Sequence, residues 1–106
     1  MSKIAILTNK GVLFIATSKI SYLEAEGKHT HIHNEEETIF SIKSLKMYED
    51  ELKKLRFFRC HNKYLVNLDH IKEYRIKTGE ILIDNKQPIK VACRRKKELI
   101  KKITNI

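Results

Sequence analysis

The segment Phe57-Phe58-Arg59-Cys60-His61-Asn62-Lys63-Tyr64-Leu65-Val66-Asn67 concentrates the hydrogen-bonding chemistry of this chain. Phe57, Phe58, Tyr64, Leu65 and Val66 are residue types for burial, whereas Arg59, His61, Asn62 and Lys63 carry donors suited to the edge of another molecule. Arginine can offer two donors to guanine O6 and N7, and asparagine can engage adenine N6 and N7 in the same paired way. Lysine supplies phosphate contacts around such readers. These residue types point to nucleic acid.

Other chemistries find less support. No glycine-rich phosphate loop, Gly-x-Ser-x-Gly or His-Glu-x-x-His occurs, so neither an enzyme nor a cofactor is expected. Cys60 and His61 are neighbours, and in a regular strand their side chains point to opposite faces, which cannot make a nucleophile–base pair. Cys60 reads as a buried, inert thiol. His29-x-His31-x-His33 puts three imidazoles along one strand face, about 6.5–7 Å apart. Two of them could share a zinc, but three in line do not complete a tetrahedron, so a histidine-rich strand edge is the expectation and no metal site.

Strands must carry most of this. Alternating or short apolar runs between turn residues predict strands at 4–8, 12–16, 20–25, 29–33, 38–42, 57–60, 64–66, 71–76, 80–84 and 88–92. Turns are expected at Asn9-Lys10-Gly11, at Glu26-Gly27-Lys28, at the acidic run 35–37, at Thr78-Gly79 and at Asn85-Lys86. Asn67 is expected to cap a turn with Asp69. Leu45, Tyr48, Leu52 and Leu55 follow helical spacing behind a Ser44 N-cap, with Asp50 and Glu51 placed to pair with Lys53 and Lys54. A second helix is expected at 94–103, with Leu99, Ile100 and Ile103 inward. The fold class is mainly β, with antiparallel strands and one or two short helices.

At 106 residues the chain suits one domain spanning 1–106 and leaves no room for a receiver domain. Two cysteines do not make a disulfide scaffold, and no apolar run is long enough to span a bilayer, so a cytoplasmic location is expected. The net charge is +9, and its distribution is uneven. Residues 1–55 hold eight lysines and eight acids, net zero; residues 56–106 hold nine lysines, five arginines and five acids, 14 − 5 = +9. A one-sided basic field attracts a polyanion. The aromatics Phe57, Phe58, Tyr64 and Tyr74 stand beside aliphatics rather than as a stacking platform, which favours duplex DNA over single strands. The two helices are far apart and the first is acidic, so no helix-turn-helix is expected and loops would do the reading.

Four markers occur in order: Ile20-Ser21-Tyr22-Leu23-Glu24-Ala25, Ser44-Leu45-Lys46-Met47-Tyr48-Glu49-Asp50-Glu51-Leu52, Phe58-Arg59-Cys60-His61 with Tyr64-Leu65-Val66-Asn67, and Pro88-Ile89-Lys90-Val91-Ala92-Cys93-Arg94-Arg95. Together they make the chain similar, from about residue 4 to 103, to LytTR domains, the DNA-binding domains of many bacterial response regulators. The resemblance implies an elongated β fold of about ten strands whose loops enter successive major grooves of double-stranded DNA, in the service of transcription regulation. It maps the contacts to Lys28, His29 and Thr30, to His61, Asn62 and Lys63, and to Arg94 with Arg95 beside it; Arg59 is counted with them as a DNA contact, a structural salt bridge being its other reading. Asn62-Lys63 stands where the family often has Arg-Ser, the asparagine after His61 resembling regulators of the accessory-gene-regulator type, and Cys93 stands where the family usually has serine. Two copies on direct repeats are the expected assembly, with control by a membrane-bound or receiver-domain partner. The alternative is a protein-interaction module that binds another regulator or a membrane partner.

Overall fold

The computed structural model describes residues 2–84 and 86–104. Ten strands and two helices follow one another: β1 (Lys3–Thr8), β2 (Gly11–Ala16), β3 (Ile20–Glu26), β4 (His29–Asn34), β5 (Thr38–Ser41), α1 (Leu45–Glu51), β6 (Phe57–His61), β7 (Tyr64–Asn67), β8 (Ile71–Arg75), β9 (Glu80–Ile83), β10 (Ile89–Lys90) and α2 (Lys96–Thr104). The mainly β class expected from the alternation is what the chain adopts. Of the turn expected at Asn85-Lys86, Asn85 lies outside the described residues.

The centre is a five-stranded antiparallel sheet in the order β5-β4-β3-β7-β6. The hairpin β1–β2 and helix α1 cover one face; the three-stranded sheet β10-β9-β8 and α2 cover the other. Adjacent residues of one strand serve opposite cores, because successive side chains alternate across the sheet. Leu23 and Leu65 join Ile4, Ile6, Ile32, Ile39, Leu45, Tyr48 and Leu52 on the α1 side. Tyr22 and Val66 join Phe58, Leu68, Ile81, Ile83, Ile89 and Leu99 on the α2 side. Each large aliphatic chain so buried favours folding by about 1.5–3 kcal/mol over exposure. The molecule is elongated, 42 × 30 × 25 Å.

Several local expectations change for physical reasons. Ser44 caps α1, its hydroxyl accepting from the Met47 amide at 3.3 Å, but the helix ends at Glu51. Tight bonds from Lys53 N to Asp50 O and from Leu55 N to Leu52 O turn the chain toward β6, so Leu55 leaves the apolar stripe and is exposed. The residues three and four beyond Asp50 and Glu51 are therefore non-helical. These acids pair backward instead, Asp50 with Lys46 at 3.4 Å and Glu51 with Lys43. At the C-terminus Cys93–Arg95 form a single 3-10 turn before α2. Leu99 and Ile103 share the buried face one turn apart, whereas Ile100 is rotated off it and exposed. The strand expected at 71–76 stops at Arg75, and Ile76 is solvent-facing.

Candidate nucleic-acid interface

Asn62-Lys63 is the two-residue turn of the β6–β7 hairpin, closed by the pair His61↔Tyr64. A bulge between Arg59 and His61 interrupts the strict alternation expected across Cys60-His61, with Cys60 as its extra residue. Cys60 is wholly buried in the α2-side core, and that burial pushes its thiol up to about 12. Arg59, half-buried on the α1 side, holds the turn from behind. Its Nε donates to the His61 carbonyl at 3.0 Å and its Nη2 to the Asn62 carbonyl at 2.5 Å. Its Nη1 donates to Glu49 Oε1 of α1 at 2.8 Å. All the directions of the guanidinium fork in use point inward, so Arg59 is a brace for the turn.

His61 Nδ1 accepts the Lys63 amide at 3.0 Å. An accepting Nδ1 puts the proton of a neutral ring on Nε2, leaving an N–H as that ring's outward donor. Asn62 is exposed, and its Oδ1 accepts from Arg94 Nη2 at 3.0 Å. That bond orients the amide, whose NH2 remains available to a ligand. Lys63 is exposed, with Nζ 3.5 Å from Glu24 Oε2 and 5.8 Å from the centre of the Tyr64 ring.

Main-chain bonds bring the other two segments to the same end. Ala25 N donates to the Lys63 carbonyl at 2.8 Å, while Ala25 pairs across β3–β4 with Thr30. The β3–β4 turn therefore begins where the Asn62-Lys63 turn lies, and Lys28 and His29 are exposed just beyond it. Gly27 makes that turn possible with φ of 60°, a left-handed conformation that costs glycine little. On the other side Ala92 N donates to the Cys60 carbonyl at 2.9 Å, which carries Arg94 to Asn62. Arg95 is half-buried and pairs with Glu98 at 3.2 Å. Thr30 is fully buried, and its hydroxyl donates to the Lys43 carbonyl at 2.8 Å. The side chain expected at the interface is thus committed to the interior: Thr30 pairs with Ser41 across β4–β5, both pointing to the covered face.

Sequence reasoning missed Glu24 and Glu49. Glu49 holds Arg59 from another element, and no local pattern announces that contact. Glu24 faces both Lys63 and His33, which the alternation of β3 could have revealed. His33 Nε2 lies 2.9 Å from Glu24 Oε1, and its Nδ1 is 3.1 Å from the Thr38 hydroxyl. Burial lowers the pKa of His33, outweighing the opposite pull of Glu24, so its Nε2–H donates as a neutral ring. His31 pairs with Glu26, whose carboxyl is held below its ordinary value by that bond. His29, His31 and His33 share one face, yet among the described residues no three ligating side chains converge on a single point.

The end of the molecule thus presents Lys28, His29, His61, Asn62, Lys63 and Arg94 from three chain segments joined by main-chain bonds. A family model described as the LytTr DNA-binding domain matches residues 10–104. Among solved structures, the chain is similar to the LytTr DNA-binding domain of a protein described as a methyl-accepting/DNA response regulator from Bacillus cereus. The two share 30% identity with a TM-score of 0.76, over 100% of this chain and 99% of that one. No curated protein sequence matches the chain significantly. No helix among the described residues is long and apolar enough to cross a membrane. With the family model covering nearly all of a ten-stranded fold that also superposes on a solved member, this chain belongs to the LytTR family of DNA-binding domains.

Proposed function

We propose that this domain recognises a specific sequence in duplex DNA and regulates transcription from it, reading successive major grooves with its turns. The observation that carries the reading is the Asn62–Arg94 pair, exposed at the end where Lys28, His29 and Lys63 emerge. An amide and a guanidinium are the two groups able to give bidentate readout of adenine and guanine. His61 Nε2–H adds a donor beside them. Lys28 and Lys63 are the phosphate contacts, with the basic excess of residues 56–106 steering the approach. Arg59 and Arg95 act on the interface through the residues they hold. Thr30 acts through the strand it anchors.

Two copies on direct repeats are the assembly that this reading favours, each seated through its own turns, with a membrane-bound or receiver-domain protein as the controlling partner. Selection from random duplexes with the purified chain tests it. Enrichment of one motif, repeated at a fixed spacing, is the expected result. A pool that stays random while the protein forms a stable complex with another regulator would replace this reading with the protein-interaction one.

A further inference from the structure

The hairpin β1–β2 covers the α1-side face of the central sheet, and it carries an unusual strand. β2 reads Gly-Val-Leu-Phe-Ile-Ala, with no charge in a chain that holds 22 lysines and arginines. Val12 is 49%, Leu13 47% and Phe14 70% exposed. Natural sheets guard their edges with lysine, proline or bulges, because an unguarded edge pairs with another strand. β2 has none of these guards.

The edge is also open in its hydrogen bonds. β2 pairs with β1 and with no other strand among the described residues. On β1, Leu7 turns its backbone away from β2: its N–H donates to the Tyr48 hydroxyl at 3.4 Å and its carbonyl accepts from Ile42 N at 3.0 Å. The register Leu7↔Val12, Ala5↔Phe14, Lys3↔Ala16 then makes these the non-hydrogen-bonded pairs. Val12 and Phe14 therefore point their N–H and C=O groups out of the far edge of β2, and Ala16 its N–H, the Ala16 carbonyl capping the 3-10 turn Thr17–Lys19. No hydrogen bond from these groups to another element occurs among the described residues.

We propose that this edge pairs with its own counterpart in a second copy of the chain, β2 antiparallel to β2 about a two-fold axis at Phe14. The outward groups fall at every second residue, so such pairing is self-complementary: Phe14 meets Phe14, and Val12 meets Ala16 of the other copy. Charge favours the same occupant. In this register Lys10, in the β1–β2 turn, comes beside the 3-10 turn Thr17–Lys19 of the other copy. It then reaches a groove of about 590 Å³ that is bordered by Ala16, Glu35, Glu36 and Glu37, with Lys3 and Lys19 on its rim. Three acids against two bases leave that groove one charge negative, and the two-fold axis makes the contact twice. Copies on direct repeats are related by translation along the duplex. The β2 pairing therefore joins copies on two separate duplex segments, and it is independent of how each copy reads its site.

Sedimentation equilibrium of the whole chain without DNA tests the pairing. The expected weight-average mass rises with concentration from the 12.5 kDa of the monomer toward twice that value. Phe14→Lys and Val12→Lys, both at exposed positions, should hold the mass at the monomer value with an unchanged melting temperature. Lys10→Glu should weaken association several-fold at low salt. A wild-type mass that stays monomeric throughout, or a dimer that survives both edge substitutions, overturns the proposal. Loss of motif enrichment in a duplex selection would sink the DNA reading and leave this test intact.

Discussion

Arg94 Nη2 donates to Asn62 Oδ1 across 3.0 Å, joining the turn between β6 and β7 to the segment that leads into α2. The bond leaves the Asn62 amide with its NH2 free and uses one of the two lone pairs on its oxygen. Arg94 keeps most of its five donors. The pair is thus oriented before any ligand arrives, and each member limits the rotamers of the other.

Asn62→Ala or Arg94→Ala should each cost about 1–3 kcal/mol of affinity on the selected site and much less on random duplex. Because the two residues share a bond, the double variant should lose less than the sum. Fluorescence anisotropy with the four proteins on both duplexes checks this. Equal loss on both duplexes would make the residue a phosphate contact.

Affinity should depend steeply on salt. With about six phosphates contacted, log affinity should fall against log salt with a slope near −5. A titration series at increasing chloride measures it, and a flat response contradicts DNA binding by this face.

Arg59→Met should weaken binding by loosening the turn, yet leave the salt slope as it was. A phosphate-contacting arginine would instead take about one unit from the slope. The same substitution leaves Glu49 only the longer pair with Lys46 at 4.0 Å and should lower stability by about 1–2 kcal/mol, since the pair with Arg59 is only half-buried. Glu49→Gln should reproduce part of both effects.

His70 should make stability fall as pH rises above the ordinary histidine pKa of about 6.5. Its Nδ1 lies 2.9 Å from Asp84 Oδ2 and its Nε2 2.6 Å from the Ser18 carbonyl, so both nitrogens face acceptors. Burial opposes the charge, but the bonds to Asp84 and Ser18 outweigh it and the pKa of His70 is raised. A raised folded value stabilises below the ordinary histidine pKa of about 6.5, and the gain is lost as pH climbs through the folded value. Asp84 is the complementary case. Burial raises its pKa, yet the bonds from His70 and Ser21 bring it lower, so its share is lost only as pH falls through its depressed value. Asp84→Asn keeps a residue tolerant of the φ of 46° found there and should flatten the decline above about pH 6.5, as melting temperatures would show.

The two thiols should separate cleanly. Cys60 is fully buried with its pKa pushed up to about 12, whereas Cys93 is exposed. A thiol reagent should titrate one cysteine in the native protein and two after unfolding. Two native equivalents would place Cys60 outside the core.

Composition alone bears the confinement of the positive excess to residues 56–106, because net charge needs no geometry. The alternation in β4 and β5 and the Ser44 cap were legible for a similar reason: each is set by local spacing along the backbone. So was the Asn67 cap, whose Oδ1 accepts the Asp69 amide at 3.0 Å. Which side of an alternating strand is covered was not legible, and Thr30 shows the consequence. Its polarity suits an interface, but the stacking of α1 and β1–β2 on that face buries it. The meeting of Asn62 with Arg94, 32 residues apart, and of Arg59 with Glu49 depends on strand register and on helix placement. Those are decided by how two cores pack on the faces of one sheet, a property of the whole chain that no local stretch contains.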